Sequence, residues 1–256
     1  GLDYKFESSL QEAMNKNDAD ALKAWLTQHQ PVLKDPRLAW IELDYVQRML
    51  ASLLWIPSEI LGQGHAVQLG LGAGAITRFT LHALRMRTTA VEINPQVIAA
   101  CRIWFRLPDD SERLQVVNAD AGHWLRATAL AGQVQLLHVD LYDHEAAAPV
   151  LDSAAFYADC RALLAPGGVM AVNLFGRDAS FERSLGRIVE AFGADQVWSL
   201  RPTREGNTVV VAGRSVVVPD REALSARAAS IEDRFGRLGL PARKWLRMVR
   251  PYQPVS

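Results

Sequence analysis

One arrangement constrains this chain most: a strand, a glycine-rich turn, a helix and a second strand that ends in an acid. Residues 66–75 read AVQLGLGAGA, so an apolar run meets the glycines Gly70, Gly72 and Gly74. A second apolar run, TTAVEIN, carries Glu92, 22 residues after Gly70 (92 − 70). Such a turn lets a ligand approach backbone N–H groups, and the acid can accept hydrogen bonds from a ribose diol. The order of these features predicts a nucleoside site in an α/β fold.

Beyond residue 62, short apolar runs alternate with stretches of helical periodicity. This alternation is typical of a mostly parallel sheet that is covered by helices on both faces. The segments QVWSLRP and TVVVAGR, joined by TREGN, predict a hairpin that closes the sheet. The predicted strands are 66–70, 88–93, 114–118, 134–140 and 168–175, and the predicted helices lie near 74–85, 95–105, 120–130, 152–164, 179–192 and 220–240.

The first 62 residues have a different pattern, with helical periodicity that Pro57 ends. We therefore expect two domains. Residues 1–62 are predicted to form a helical N-terminal lobe, and residues 63–256 a Rossmann-like nucleoside-binding catalytic domain.

Composition narrows the class of protein. The chain carries 28 basic and 28 acidic residues, and this balance disfavours binding to nucleic acid or to an anionic membrane. No apolar run approaches the roughly 18 residues of a membrane helix, and the polar, acidic N-terminus predicts no secretory signal. Cys101 and Cys160 make no disulfide framework, and no Cys/His cluster has zinc spacing. We expect a cytoplasmic protein without a metal.

Carboxylates follow the third and fourth predicted strands. Asp120, in VVNADAGHWL, can accept a hydrogen bond from an adenine amino group, or can cap the helix that begins at Ala121, or can do both. Asp140, Asp143 and Glu145 follow the fourth strand in VDLYDHEAA. Acids over a pocket suit a cationic amine, which must lose a proton before it attacks an alkyl–sulfonium carbon. A solvated acidic loop is the alternative for Asp143 and Glu145, whereas Asp140 ends a buried strand.

Another ligand stays open on the residues alone. The run GLGAGA also fits the dinucleotide pattern G-x-G-x-x-G/A, so NAD is an alternative to other nucleosides. A hydride-transfer group is not evident, since the loop residue His144 has no motif around it. Asn173 and Phe175, at the end of the fifth strand, are expected to line the pocket.

Several motifs in order resemble the spermidine synthase (polyamine aminopropyltransferase) family. They are VQLGLGAGAITRFTLH, TTAVEINPQVIAACRIWFRLPDDSERLQVVNADAGHWL, VDLYDHEAAAPVLDSAAFYADCRALLAPGGVMAVNLF and GNTVVVAGR, and they span roughly residues 64–213. The resemblance implies the class I methyltransferase fold, a mostly parallel seven-stranded sheet with an antiparallel last strand. It also implies binding of decarboxylated S-adenosylmethionine and transfer of its aminopropyl group to an amine such as putrescine. The family's N-terminal β-domain, which helps form oligomers, is replaced by the helical lobe, through which we expect a homodimer.

Roles for individual residues follow from this resemblance. Glu92 in VEIN matches the ribose-binding acid, and Asp120 in NADA matches the acid beside adenine. Asp140 and Asp143 match the two acids that hold the attacking amine, and the first is the proposed general base. The remaining predicted donor-binding positions are Gly70, Gly72, Gly74 and Ala121, together with Asp140 itself.

Departures from the family pattern keep two other functions open. Ala73 stands where the family has an acid that contacts the aminopropyl end of the donor, and Arg48 in VQRM replaces a glutamate. An S-adenosylmethionine-dependent methyltransferase is the first alternative, in which Arg48 would pair with the methionine carboxylate. A non-catalytic protein that binds a nucleoside or a polyamine is the second.

Overall fold

The computed structural model describes residues 44–141, 151–175, 179–204 and 206–254. Predictions that concern residues 1–43 and 142–150, including most of the N-terminal lobe, Asp143, His144 and Glu145, lie outside the described residues.

Within the described residues, eight strands form one sheet in the order β3-β2-β1-β4-β5-β7-β6-β8. Strands β1 to β5 run parallel, and β7 lies antiparallel between β5 and β6. The predicted Rossmann-like sheet with a reversed strand is therefore confirmed, and so is the terminal hairpin. The structure adds an eighth strand at the edge, antiparallel to β6. The strands are β1 (His65–Leu69), β2 (Arg87–Glu92), β3 (Leu114–Asn118), β4 (Val134–Val139), β5 (Leu164–Phe175), β6 (Val197–Leu200), β7 (Asn207–Gly213) and β8 (Val249–Pro251).

Helices flank both faces of the sheet, as the alternating pattern predicts. Four of them begin at a polar side chain that accepts a hydrogen bond from a backbone N–H of the first turn: Asn94, Asp120, Ser153 and Asp220. The helices are α1 (Asp44–Met49), α2 (Ala75–Arg78, continued by the π-helical turn Phe79–Ala83), α3 (Pro95–Trp104), α4 (Ala121–Ala127), α5 (Ala154–Leu163), α6 (Ala179–Phe192), α7 (Arg221–Phe235) and α8 (Ala242–Trp245). Short 3₁₀ turns follow α1, α6 and α7 at Leu50–Trp55, Ala194–Gln196 and Gly236–Leu238.

Three apolar clusters bury the faces of the sheet, and the smallest lies between α3 and strands β2 and β3. On one face, the 3₁₀ turn Leu50–Trp55 is fully buried with side chains of α7, α8, β5, β6 and β7, and the rings of Trp55 and Trp198 lie 4.9 Å apart. On the other face, α4, α5 and α6 pack on β1, β4 and β5. The helical segment that precedes β1 thus shares its core with the sheet. The predicted division of the chain at residue 62 stays a prediction.

No helix among the described residues is long and apolar enough to cross a membrane.

Candidate active site

The glycine turn lies between β1 and α2, at the carboxyl edge of the sheet. Gly70, Gly72 and Gly74 all adopt positive φ angles, of 84°, 51° and 72°, which L side chains adopt at a cost. A Cβ atom at Gly70 would overlap the carbonyl oxygen of Asp140, whereas a Cβ atom at Gly72 would meet nothing within 4 Å. Gly70 is therefore needed for packing against the end of β4, and Gly72 faces open space that a ligand can occupy.

Buried side chains of the neighbouring strand and helices hold this turn in place. The buried Gln68 amide donates to the carbonyl oxygens of Gly70 (2.8 Å) and Leu71 (3.3 Å), and the Thr77 hydroxyl donates to Gln68 Oε1 (2.5 Å). The Cys101 thiol donates to the carbonyl oxygen of Gly72 at 3.0 Å. Since three turn carbonyls are bound from inside the protein, the turn is fixed before any ligand arrives. The sequence pattern gave no sign of these supports, which come from the strand and helices around the turn.

Glu92 ends β2 beside the glycine turn, as predicted. Its Oε2 accepts from the Leu71 backbone N–H (3.0 Å), and its Oε1 accepts from the Asn94 backbone N–H (2.9 Å). Burial raises the pKa of Glu92, and the hydrogen bonds from the backbone N–H groups of Asn94, Leu71 and Ile93 oppose that rise. The two carboxylate oxygens together have four lone-pair sites, so Glu92 can still accept a further hydrogen bond from a diol.

Asp120 is the N-cap of α4, and its Oδ1 accepts from the His123 backbone N–H at 2.8 Å. The capping role is confirmed, and contact with an adenine stays a prediction. The adjacent Ala121, the first residue of α4, is buried. Asn118, two residues before Asp120, donates to the carbonyl oxygens of Glu92 and Ile93, both at 2.9 Å. These bonds tie the end of β3 to the end of β2, and so hold the two predicted nucleoside acids at one edge.

Asp140 follows β4 directly and is enclosed by polar side chains. Its Oδ1 accepts from the Asn173 side-chain amide at 3.0 Å, and Asn173 Oδ1 in turn accepts from Asn207 at 3.2 Å. The Tyr45 side chain of α1 also forms a hydrogen bond with Asp140. Burial raises the pKa of Asp140, while the hydrogen bonds from Asn173 and Tyr45 act in the opposite direction. Asp140 is therefore a carboxylate whose affinity for a proton is higher than usual.

The surroundings of Asp140 were only partly expected from the sequence. Asn173 was predicted to line this pocket; it donates to Asp140, and its place in the pocket stays a prediction, while the side chain of Phe175 lies outside the described residues. Tyr45 and Asn207 were missed. His138 on β4, two residues before Asp140, is fully buried, with Nε2 3.4 Å from the Ser52 hydroxyl. Burial lowers the pKa of His138 to about 4, so its imidazole is neutral at pH 7.

Arg48 and Ala73, the two departures from the family pattern, have clear local roles. The Arg48 guanidinium binds both carboxylate oxygens of Asp44, at 2.7 and 3.1 Å, and also donates to the Arg201 carbonyl oxygen. The carbonyl oxygen of Ala73 accepts from Arg78 Nη1 at 2.8 Å. Arg48 is thus committed to protein groups, and the structure gives no support to its predicted pairing with a ligand carboxylate.

The predicted residues that the structure describes lie along one edge of the sheet. In sheet order the edge presents Asp120 after β3, Glu92 at the end of β2, the glycine turn after β1 and Asp140 after β4. Three strand spacings separate the ends of this row, roughly 14 Å, which suits a nucleoside with an alkyl extension. Among the described residues, no group of three His, Cys, Asp or Glu side chains could hold a metal, and the predicted absence of a metal stays a prediction.

Comparison with known proteins decides the family. No protein-family model matches the chain. A polyamine aminopropyltransferase of Chromobacterium violaceum is 33% identical over 196 residues, which cover 76% of this chain and 72% of that protein. The chain belongs to the polyamine aminopropyltransferase family.

Solved structures confirm the fold of this member of the aminopropyltransferase family. A probable spermidine synthase from Corynebacterium glutamicum superposes with a TM-score of 0.63 at 19% identity, covering 86% of this chain and 84% of that one. Human methyltransferase-like protein 13, in complex with SAH, superposes with a TM-score of 0.62 at 20% identity, covering 84% and 97%. Both likenesses confirm the predicted class I methyltransferase fold.

Proposed function

We propose that this protein is an aminopropyltransferase that binds decarboxylated S-adenosylmethionine and transfers its aminopropyl group to an amine such as putrescine. The observation that carries the proposal is Asp140, a partly buried carboxylate with a raised pKa that is hydrogen-bonded to Asn173 and Tyr45, at the position that matches the family's proposed base. Membership in the aminopropyltransferase family supports it independently.

The nucleoside half of the proposed site uses groups that the structure already orients. Glu92 would accept hydrogen bonds from the ribose hydroxyls, and Asp120 one from the adenine amino group. Ile93, between the end of β2 and the start of α3, leaves 67% of its surface exposed beside Glu92. We expect Ile93 to pack on a face of the adenine ring. Gly72 leaves the space that the ligand needs beside the turn.

Asp140 would act on the acceptor amine. The donor supplies a carbon bound to a sulfonium sulfur, a bond that breaks as a new carbon–nitrogen bond forms. Asp140 would hold the acceptor by a hydrogen bond from its amino group and accept the proton that this group gives up. Asn173 and Tyr45 fix the orientation of the carboxylate. Asp143, whose position is outside the described residues, is proposed as the second acid that holds the amine.

A methyltransferase is the second candidate, because the fold is shared with methyltransferase-like protein 13. Ala73 also favours it, since no acid is present there to hold an aminopropyl ammonium. The commitment of Arg48 to Asp44 argues against it, because Arg48 was the proposed partner of the methionine carboxylate.

One paired assay tests these candidates. Purified protein is incubated with putrescine and either decarboxylated S-adenosylmethionine or S-adenosylmethionine, and products are measured by mass spectrometry. We expect spermidine and methylthioadenosine from the first mixture only. Methylated product or S-adenosylhomocysteine from the second alone would replace the proposal with a methyltransferase. Turnover in neither, with methylthioadenosine binding retained in calorimetry, would favour a non-catalytic nucleoside-binding protein.

We also propose that the protein works in the cytoplasm as a homodimer. The two cysteines are free and buried, as expected for a reducing compartment. Light scattering coupled to size-exclusion chromatography measures the mass in solution, and a value near the chain mass of 28.3 kDa at working concentrations would exclude the dimer.

A further inference from the structure

A cavity lies at the opposite edge of the sheet from Asp140. His65 and Arg87 are the first residues of β1 and β2, while Arg113 and Gln133 immediately precede β3 and β4. Since these strands are parallel, the amino ends form one edge and the carboxyl ends, with the candidate active site, form the other. The cavity measures about 560 Å³ and is lined by Gly62, Gly64, His65, Arg85, Arg87, Arg113 and Gln133. We call it the basic basin.

The basic basin concentrates positive charge, and no acid is among the described residues that line it. Three of the lining residues are arginines, and no lining residue is Asp or Glu. Within the part of the chain that the structure describes, Arg85, Arg87 and Arg113 form no ion pair with a carboxylate. Like charges that share a cavity repel each other, and a bound anion would relieve that repulsion.

Local structure holds several of these groups toward the basin. Arg113 Nη2 donates to the Leu81 carbonyl oxygen at 2.5 Å, so this guanidinium is anchored. The His65 ring is fixed by a 2.8 Å hydrogen bond between Nε2 and the Thr89 hydroxyl. Burial and the positive charge of Arg87 lower the pKa of His65. His65 therefore presents a neutral imidazole at pH 7, and the arginines supply the charge.

The loop that precedes β1 gives the basin a wall without side chains. Gly62 and Gly64 adopt φ angles of 96° and 82°, and a Cβ atom at Gly62 would lie 2.6 Å from the Leu84 carbonyl oxygen. Glycine at Gly62 thus brings the loop against the segment that carries Arg85. The backbone geometry keeps Arg85 and the loop in the same wall of the basin.

We propose that the basic basin binds a small anion that carries phosphate groups. Guanidinium groups donate paired N–H bonds that match phosphate oxygens, and charge-assisted hydrogen bonds of this kind are the strong ones. The volume falls in the range of small-molecule sites, on the order of 300–1,000 Å³. Because the basin opens at the edge remote from Asp140, this site is separate from the proposed transfer site.

Calorimetry and thermal unfolding with two probes, sodium phosphate and sodium tripolyphosphate, test the proposal at constant ionic strength set with sodium chloride. The variants Arg85→Gln and Arg87→Gln each remove one charge from the basin. Arg250→Gln, an exposed arginine on β8, is the matched control. We expect saturable binding of one anion per chain, weakened about five- to tenfold by either basin variant and unchanged by the control.

The unfolding temperature adds a readout that a structural role for these arginines would not give. Without the anion, Arg87→Gln should unfold at the same or a higher temperature than the parent, because repulsion is reduced. With saturating tripolyphosphate the order should reverse. Absence of saturable binding for both probes, or equal weakening by Arg250→Gln, would overturn the proposal.

Discussion

Burial and hydrogen bonding shift the pKa of Asp140 in opposite directions. Removal from water disfavours its charge, and the amide of Asn173 and the hydroxyl of Tyr45 favour that charge. The net effect is a raised pKa, so folding favours the protonated acid. This contribution to stability is present below the ordinary aspartate pKa and is lost as the pH rises through the raised value. At neutral pH the ionised Asp140 therefore lowers the stability of the folded protein, a cost that its proposed role as the base would explain.

Replacing Asp140 by asparagine separates its expected effect on the transfer rate from its effect on stability. We expect Asp140→Asn to reduce the transfer rate by about 10²–10⁴-fold, since the proton acceptor is gone. The thermal midpoint at pH 7 should stay the same or rise, because the introduced amide can still accept from Asn173 and carries no buried charge. Steady-state kinetics and thermal unfolding measure the two effects, and methylthioadenosine affinity serves as the control for an intact nucleoside site.

The pH profile adds a check on the same residue. In the parent protein, kcat/KM should fall as the pH drops through the raised pKa of Asp140, above the usual aspartate range. The stability gained by Asp140→Asn should shrink over the same pH interval. A profile that breaks only at ordinary aspartate values would remove Asp140 from the role of base.

At the scale of single elements, the glycine turn is the part of the site that backbone geometry determines most. Gly70 packs against the end of β4, and Gly72 faces open space, although both have positive φ. The carbonyls of the turn are bound by Gln68 and Cys101. The turn is thus rigid on its inner side and open on its outer side, as a preformed ligand site requires.

Two alanine substitutions distinguish the inner from the outer side. Gly70→Ala should lower the free energy of unfolding by at least about 2 kcal/mol, because the new Cβ overlaps the Asp140 carbonyl and the φ angle is unfavourable. Gly72→Ala should cost about 1–2 kcal/mol from φ alone, and should weaken methylthioadenosine binding more than it weakens stability. Urea unfolding and calorimetry measure both. Equal losses of stability in the two variants would contradict the packing difference.

The elements differ in how well local sequence predicts them. Strands β1 to β4 lie within one residue of their predicted bounds, because the apolar runs and the turn residues that flank them are local features of the sequence. The strand β8 was not foreseen, since it has only three residues and forms only where β6 offers an edge. Likewise, the acids at the strand ends were predicted from their positions. The partners Tyr45 and Asn207 come from distant segments, and their contacts depend on the folded sheet.

At the scale of the whole molecule, the segment before β1 and the sheet share a core. Trp55 is 2% exposed and packs on Trp198 of β6, and Leu53 and Leu54 beside it are fully buried. Arg48 adds a polar link from α1 to the carbonyl oxygen of Arg201, directly after β6. These contacts predict that the segment 44–56 and the sheet unfold together.

Trp55→Ala tests that coupling. We expect a loss of about 3–5 kcal/mol in the free energy of unfolding, typical of a buried tryptophan, with one transition by both circular dichroism and fluorescence. Trp104→Ala is the matched control, because Trp104 is only partly buried on α3 and should cost less. A two-step transition in Trp55→Ala, with the sheet unfolding later at its original midpoint, would show that the two parts fold separately.

The short strand β8 has a consequence for how copies of the protein can meet. An exposed sheet edge is a template on which another chain can add a strand, and such pairing leads to aggregation. Here β8 occupies the outer side of β6, and it ends at Pro251, which has no N–H to donate. Only three residues long, with Arg250 and Pro251 exposed, it is a poor template for further addition. Any association of copies should therefore proceed through helical or loop surfaces or through the β3 edge, and not by extension of the sheet beyond β8.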